Sequence, residues 1–177
     1  MLLVKILVRS LYQKMNYTIR SATVTDQTLV WEMLSYAAHE ASVESVRNQP
    51  CLARYASNWG RFGDLGSVAQ NNSDQLCLGM AWLRLWLDQD KGFGYIEDTI
   101  PELGIAVLPD YRGHGIGTSL LNKILEMAKN QFPAVSLSVR ADNSVIRLYE
   151  RSGFTKVPGS EIINRIGITS FNMIIEF

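Results

Sequence analysis

The most regular pattern of hydrophobic and polar positions in this chain lies between residues 103 and 128. Leu103, Ile105 and Val107 alternate with small residues, which predicts a strand that is buried on both faces. From 116 to 128 the apolar residues recur at helical spacing with charged residues between them, which predicts an amphipathic helix. A strand, a short turn and a helix are therefore expected in immediate succession.

The same periodicities predict the other elements of the fold. The predicted strands cover residues 17–20, 67–70, 76–87, 135–139, 154–157 and 170–177, and two further helices occupy 29–37 and the residues after 142. This order predicts one mixed α/β domain over residues 15–177. Residues 1–14 are interpreted as an N-terminal extension, either an accessory strand or helix or a segment ahead of an alternative start at Met15. Because Lys5 and Arg9 interrupt its apolar run, we expect no membrane span or signal peptide there.

Composition narrows the classes of function. The 177 residues carry 17 acidic and 17 basic side chains, so there is no electrostatic reason to expect a nucleic acid partner. The two cysteines, Cys51 and Cys77, lie in unrelated contexts without the paired spacing of a metal site. We therefore expect no bound metal and a reduced, cytoplasmic chain.

Three glycines at alternate positions, Gly113, Gly115 and Gly117, fill the turn between the predicted strand and helix. Without Cβ atoms their backbone N–H groups can converge, and the unpaired N–H groups of the helix N-terminus favour a phosphate there. No Gly-Lys-Ser/Thr sequence follows, which excludes the nucleotide P-loop, and the spacing lacks the last step of the dinucleotide pattern. A turn that binds another phosphate ligand is the interpretation that remains.

Two segments resemble the GCN5-related N-acetyltransferase superfamily. The turn Arg112-Gly-His-Gly-Ile-Gly117 resembles that superfamily's coenzyme A pattern, Gln/Arg-x-x-Gly-x-Gly/Ala. The segment Asn143-Ser-Val-Ile-Arg-Leu-Tyr-Glu-Arg-Ser-Gly-Phe154 resembles its Asn-x-x-Ala-x-x-Leu-Tyr-x-x-x-Gly-Phe motif, with Ile146 in place of the usual alanine and one residue fewer before Leu148. The resemblance extends over residues 17–177 and is weakest between Ser35 and Gln75.

The resemblance implies an acetyl-coenzyme A-dependent N-acetyltransferase with one α/β domain. Its mixed, mostly antiparallel central sheet is expected to be splayed at the cofactor cleft and flanked by helices. The backbone of residues 113–118 would hold the pyrophosphate with help from Arg112. The strand edge 105–107 would pair with the pantetheine arm, with the Val107 N–H polarising the thioester carbonyl, and Tyr149 would return a proton to the coenzyme A sulfur. The implied cofactor-binding residues are Ile105, Ala106, Val107, Arg112, Gly113, His114, Gly115, Ile116, Gly117, Thr118, Asn143 and Tyr149.

The base that accepts the proton of the amine is left open between Glu102, Glu97 and neither of them. The acceptor is expected to be a primary amine, a small molecule being slightly favoured over a protein amine. Acids between residues 88 and 102 would attract a cationic acceptor if they faced the cleft. The alternative is a coenzyme A-binding sensor or assembly module without turnover, which would need neither Tyr149 nor an acid near Glu102. A homodimer through the C-terminal strand or the N-terminal segment is a further hypothesis.

Overall fold

Eight strands form one sheet with helices on both of its faces in the computed structural model, which describes residues 15–87, 89–164 and 166–177. The strands are β1 Tyr17–Ser21, β2 Leu65–Asn71, β3 Cys77–Arg84, β4 Glu102–Val107, β5 Ala134–Arg140, β6 Thr155–Lys156, β7 Ile162–Ile163 and β8 Thr169–Glu176. The α-helices are α1 Gln27–Ala37, α2 Val43–Arg47, α3 Pro50–Ala53, α4 Ile116–Ala128 and α5 Ile146–Arg151, and short 3-10 helices cover Val24–Asp26 and Pro109–Tyr111. The predicted N-terminal extension, residues 1–14, lies outside the described residues.

The strand order is β1-β2-β3-β4-β5-β8-β6, and β7 also pairs with β8. All of these pairs are antiparallel except β4 with β5, which is parallel. The expected mixed, mostly antiparallel sheet is therefore confirmed. Because β8 pairs with β5 on one side and with β6 and β7 on the other, it has no continuous open edge.

The sheet opens between its two parallel strands. Within the described strands, β4 and β5 pair at one point, where Glu102 lies opposite Ser136. The Ser136 N–H donates to the Pro101 carbonyl oxygen at 3.0 Å. Beyond this bridge neither strand pairs with the other, so the expected splay is confirmed and the backbone of β4 has an edge that faces the opening.

Each face of the sheet carries its own apolar core. On one face α4 packs mainly against β2 and β3, and its buried residues are Ile116, Leu120, Leu121, Ile124 and Ala128. On the other face α1, α2 and α3 cover Trp82 and Trp86. Along β4, Leu103 belongs to the first core and Ala106 to the second, as expected for a strand buried on both faces. The helical periodicity predicted from 116 to 128 is confirmed.

A buried ion pair fastens the loop before β2 to β3. Arg84 Nη1 lies 2.9 Å from Asp64 Oδ2, and the two side chains are 2% and 0% exposed. The Gly60 N–H also donates to Asp64 Oδ2 at 3.0 Å. Burial raises the pKa of Asp64, with Arg84 opposing that rise. By contrast, the ion pair of Arg54 with Asp90, at 3.5 Å, joins two side chains that are 32% and 43% exposed.

Two predicted boundaries differ from the structure by three residues, and one short strand was not predicted. The strand predicted over 76–87 ends at Arg84, after which the chain turns so that Trp86 can reach a buried carboxylate. The helix expected directly after residue 142 begins at Ile146, because Asn143 Oδ1 first accepts the Val145 N–H at 3.0 Å and forms a turn. The short strand β7 was not predicted, since two residues carry no readable alternation.

Candidate active site

The opening between β4 and β5 continues into a cavity of about 710 Å³, a size typical of small-molecule sites. Its walls come from the two diverging strands, the glycine turn, the start of α4, the end of α1, α5, and the segment around β7. Of the twelve residues predicted to bind the cofactor, only His114 is missing from the lining. Both Glu102 and Tyr149 line it, so the structure brings together residues that lie far apart in the sequence.

The glycine turn presents a row of backbone donors to this cavity. Gly113 and Gly115 have φ values of +78° and +80°, in the left-handed region that favours glycine, and Gly115 is the N-cap of α4. The N–H groups of residues 113–118 donate to no backbone acceptor within the part of the chain that the structure describes. Donors that converge at a helix N-terminus suit a phosphate, so the observed turn fits the expected anion.

Arg112 is held beside this turn by the strand that precedes it. Its Nε donates to the Val107 carbonyl oxygen at 3.0 Å, and the side chain is exposed at the edge of the cavity. No further contact of its guanidinium with a described residue is found. The terminal nitrogens are therefore available to a phosphate oxygen, for which arginine has the right geometry.

The edge of β4 offers backbone groups to an extended ligand. The Leu108 N–H donates to the Leu78 carbonyl oxygen at 2.9 Å, on the side of β3. Because peptide groups alternate along a strand, those of Ile105 and Val107 point the other way, into the opening, whereas those of Ala106 face β3. Two of the three predicted strand residues thus present hydrogen-bonding groups to the cavity.

Tyr149 lies on α5 where it lines the cavity, with its ring packed 5.8 Å from that of Phe154. The residue is buried, and burial raises the pKa of its phenol above the usual value near 10. The hydroxyl donates to no side chain or carbonyl among the described residues. It therefore keeps its proton at neutral pH and remains able to donate it to a ligand.

Asn143 combines a structural contact with a place on the cavity wall. Its Oδ1 accepts the Val145 N–H, which uses the carbonyl end of the amide. The side-chain NH₂ group makes no hydrogen bond with the described residues, and Asn143 lines the cavity. Its role in shaping the turn before α5 is therefore compatible with donation to a ligand.

Glu102 is buried, although glutamate side chains are seldom fully buried without a partner. Three groups donate to it: the Tyr55 hydroxyl to Oε1 at 2.8 Å, the Gly94 N–H to Oε1 at 2.8 Å, and Trp86 Nε1 to Oε2 at 2.9 Å. Burial raises its pKa from 4.5 to about 7, and the three hydrogen bonds limit that rise. A carboxyl group with this pKa is suited to general-base catalysis near neutral pH.

Sequence reasoning missed the residues that hold Glu102. Tyr55 lies 47 residues upstream of it, in the segment where the resemblance is weakest, and Trp86 and Gly94 come from the loop between β3 and β4. The glycines of that loop are the sequence feature that could have indicated its close packing on a buried side chain. A Cβ on Gly94 would lie 2.8 Å from the Glu102 carboxyl group, and one on Gly92 would lie 2.1 Å from Oε2. Glycine therefore lets the loop fold over the carboxylate.

Two predicted site residues lie away from the cavity. Glu97 is exposed, accepts a hydrogen bond from the Thr99 hydroxyl at 2.5 Å, and does not line the cavity. The His114 side chain is exposed between two glycines with positive φ, so only its backbone N–H can contribute to the turn. Acids between residues 88 and 102 would attract a cation only if they faced the cleft, but Asp90 pairs with Arg54 and Asp98 pairs with Lys91 outside the cavity lining. Asp88 is outside the described residues.

Metal-binding clusters and membrane-spanning helices are both absent from the described residues. No group of three or more histidine, cysteine, aspartate or glutamate side chains is arranged to hold a metal ion within residues 15–87, 89–164 and 166–177. Within the same ranges, none of the helices combines the length and the apolar character needed to cross a membrane.

An open sheet with a donor-lined glycine turn beside its splayed parallel pair defines the class of acyltransferases that use acyl-coenzyme A. The model of the acetyltransferase (GNAT) family matches residues 27–154, and the chain belongs to this family. The fold and the enzyme class expected from the sequence are therefore confirmed, and members of this family use acetyl-coenzyme A.

Individual relatives differ in their acceptors. The [ribosomal protein bS18]-alanine N-acetyltransferase of Haemophilus influenzae is 37% identical over 86 residues, which are 45% of this chain and 59% of that protein. The chain thus spans less than two thirds of that relative. The structure of yncA from Salmonella typhimurium with its cofactor acetyl-CoA has a TM-score of 0.67 at 22% identity and covers 91% of this chain and 94% of its own. The spermidine/spermine N-acetyltransferase SpeG of Vibrio cholerae has a TM-score of 0.60 at 18% identity, with coverage of 91% and 92%. The two structures are similar in fold, and the acceptor of this chain is not established by any of the three.

Proposed function

We propose that the protein transfers an acetyl group from acetyl-coenzyme A to a primary amine, directly and within a ternary complex. The observation that carries the proposal is the cavity that joins a donor-lined turn, a splayed strand edge, a buried carboxylate and a buried phenol. A small-molecule amine is favoured over a protein amine as the acceptor.

The residues present fit acetyl-coenzyme A along the whole opening. Backbone N–H groups of residues 113–118 and the Arg112 guanidinium would hold the pyrophosphate, and the exposed edge of β4 would hydrogen-bond the pantetheine arm. The Asn143 amide lies where it can donate to the same arm. The bound thioester supplies the acetyl group.

Three groups of this chain would then act on the reaction. Glu102 accepts a proton from the attacking amine, directly or through water, because its pKa of about 7 leaves a large fraction ionised at neutral pH. The Val107 N–H donates to the thioester carbonyl oxygen, where negative charge grows as the carbon–nitrogen bond forms. Tyr149 gives its proton to the sulfur as the carbon–sulfur bond breaks.

The position of Glu102 on the cavity wall supports it as the base in preference to Glu97. Two carboxylates from one segment thus have different environments, one buried and hydrogen-bonded and the other solvated. A water chain that reaches Glu97 would be the arrangement in which Glu97 serves instead.

The Tyr149→Phe substitution separates an enzyme from a non-catalytic sensor. We expect kcat to fall about a hundredfold, a typical contribution of a positioned acid, while the Kd for acetyl-CoA stays within about twofold of wild type. The matched control is Tyr17→Phe. The Tyr17 hydroxyl is hydrogen-bonded to the Ser119 hydroxyl at 3.0 Å and does not line the cavity, so its removal should change neither kcat nor the Kd for acetyl-CoA. Saturable acetyl-CoA binding by the wild-type protein without acetylation of any amine would favour the sensor.

The cytoplasmic location and the homodimer remain predictions. Light scattering on the full chain tests the dimer: a mass near 40 kDa, twice the 19.9 kDa of one chain, is the result that the hypothesis requires, and the mass of one chain would remove it.

A further inference from the structure

The cavity reaches both faces of the sheet, and only one end is needed for the cofactor. The glycine turn, the first residue of α4 and Tyr149 lie on the side of the α4 core. Glu102, Gly104 and Ala106 alternate with the residues of that core along β4 and therefore face the side of α1 to α3, where Tyr55 and Trp82 also lie. The far end of the cavity is thus where an acceptor amine would approach Glu102.

Exposed apolar side chains border this cavity. Of the ten large hydrophobic residues that are exposed in the described part of the chain, five line it. We call these five residues the apolar rim. They are Tyr36 (38% exposed), Phe93 (43%), Ile162 (47%), Ile163 (70%) and Ile166 (55%).

Phe93, one member of the apolar rim, lies next to the residues that hold Glu102. The Phe93 ring stacks on that of Tyr55 with centroids 6.0 Å apart, and the Phe93 N–H donates to the Tyr55 hydroxyl at 2.6 Å. Tyr36 is on α1, and the three isoleucines lie on β7 and in the segment that follows it. A cluster of exposed apolar groups at the mouth of a cavity is typical of a binding surface.

The charges around the cavity disfavour a second positive charge on the acceptor. Among the described residues that line it, Glu102 is the single carboxylate, and it is buried with a role in accepting a proton. The other ionisable side chains of the lining, apart from its tyrosines, are basic: His39, Arg112, Arg140 and Arg151, of which Arg140 is paired with Asp142 at 2.6 Å. The second ammonium group of a polyamine would therefore lose its hydration in the cavity without gaining a carboxylate partner there, which is unfavourable.

We propose that the acceptor is an apolar monoamine, in which one primary amine reaches Glu102 and an uncharged alkyl or aryl body packs on the apolar rim. This inference rests on the proposed function and adds the class of its substrate. Acetyl transfer leaves a neutral amide, so the product loses its charge and keeps its apolar body.

Hexylamine and 1,5-diaminopentane are the matched probes, because they differ in a terminal methyl group against a second ammonium group. We expect kcat/KM for hexylamine to exceed that for the diamine by about tenfold or more, since burying an unpaired ammonium costs more than burying a methyl group. Ile163→Glu places a carboxylate on the rim and should reduce this ratio by about threefold or more without changing the KM for acetyl-CoA. Phe62→Glu, at a residue that is 94% exposed and outside the cavity lining, should leave the ratio unchanged.

The possible outcomes separate this inference from the proposed function. A diamine used as well as hexylamine, or a ratio that Ile163→Glu does not alter, overturns the apolar monoamine while acetyl transfer to an amine stands. Preference for a peptide amine over hexylamine overturns it in the same way. If acetyl-CoA binds but no amine is acetylated, the proposed function itself fails, and the inference fails with it.

Discussion

Removing the Tyr55 hydroxyl should move the pH dependence of catalysis in one direction. In Tyr55→Phe the ring is retained, so the edge contact with Trp86 at 4.9 Å and the stacking on Phe93 at 6.0 Å can persist. The substitution removes the acceptor of the Phe93 N–H and one of three hydrogen bonds to Glu102. The bond to Glu102 stabilises the ionised carboxylate and lowers its pKa. The pKa of Glu102, about 7 in the wild type, should therefore rise.

The size of this rise follows from the free energy of the lost bond. A hydrogen bond to a charged group contributes about 1.5 to 3 kcal/mol, and one pKa unit corresponds to about 1.4 kcal/mol. Because water can replace part of the interaction, we expect a rise of about one unit, which moves the acid limb of kcat/KM to higher pH.

The assay is kcat/KM for one amine from about pH 5.5 to about pH 9.5, compared between wild type and Tyr55→Phe. Ionisation of the amine contributes equally to both profiles, so the difference reports the enzyme. Tyr17→Phe is the control and should follow the wild-type curve. An acid limb that stays in place or moves to lower pH, in a variant whose thermal unfolding shows it to be folded, would refute the role of Tyr55 in tuning the base.

Three further substitutions test other parts of the account. Gly115→Ala and Gly159→Ala each place an alanine at a position with positive φ, where its Cβ would meet nothing within 4 Å. Each substitution should therefore lower the free energy of unfolding by about 1 kcal/mol through backbone strain alone. Only Gly115→Ala should also weaken acetyl-CoA binding in a titration, by about fivefold or more. Asp64→Asn leaves the buried Arg84 without a charged partner and should lower the free energy of unfolding, measured in urea, by about 3 kcal/mol or more. Asp90→Asn, in the exposed ion pair with Arg54, should lower it by less than about 1 kcal/mol, and equal losses would contradict this difference. Because the pKa of Glu102 is raised from 4.5 to about 7, the folded state holds this proton more tightly than the unfolded state between those pH values. The free energy of unfolding of the wild type, measured against that of Glu102→Gln, should therefore fall by about 3 kcal/mol as pH rises through this window. A difference between the two proteins that does not change with pH would argue against the burial of this charge.

The parts of the site that could be predicted from the sequence are those formed by residues adjacent to one another in the chain. The positive φ values of Gly113 and Gly115 and the start of α4 follow from one short stretch, so the turn could be predicted with its donors. Tyr149 was predicted from a second local motif, and its side chain does line the same cavity. Within the turn, however, the sequence could not separate His114 from its neighbours, because the direction of a side chain between two left-handed glycines depends on the backbone itself.

The environment of Glu102 could not be predicted, because it is assembled from distant segments. Tyr55 follows the short helix α3, and Trp86 and Gly94 belong to a loop whose path over the carboxylate depends on packing rather than on periodicity. The apolar rim has the same origin: two of its residues lie on β7, which is too short to show a pattern. The part of the site that binds the cofactor is local in sequence, and the part that meets the acceptor is not.

Calorimetric titration of the purified protein with acetyl-CoA tests the central claim most directly, with free coenzyme A and NAD as the comparison ligands. The account predicts saturable binding of acetyl-CoA and coenzyme A, weaker binding by Gly115→Ala, and no binding of NAD, because the donors of the glycine turn and the edge of β4 match a pyrophosphate followed by an extended arm. No heat of binding with acetyl-CoA at about millimolar concentration, where even weak ligands are detected, would contradict it and leave the glycine turn as a structural feature alone.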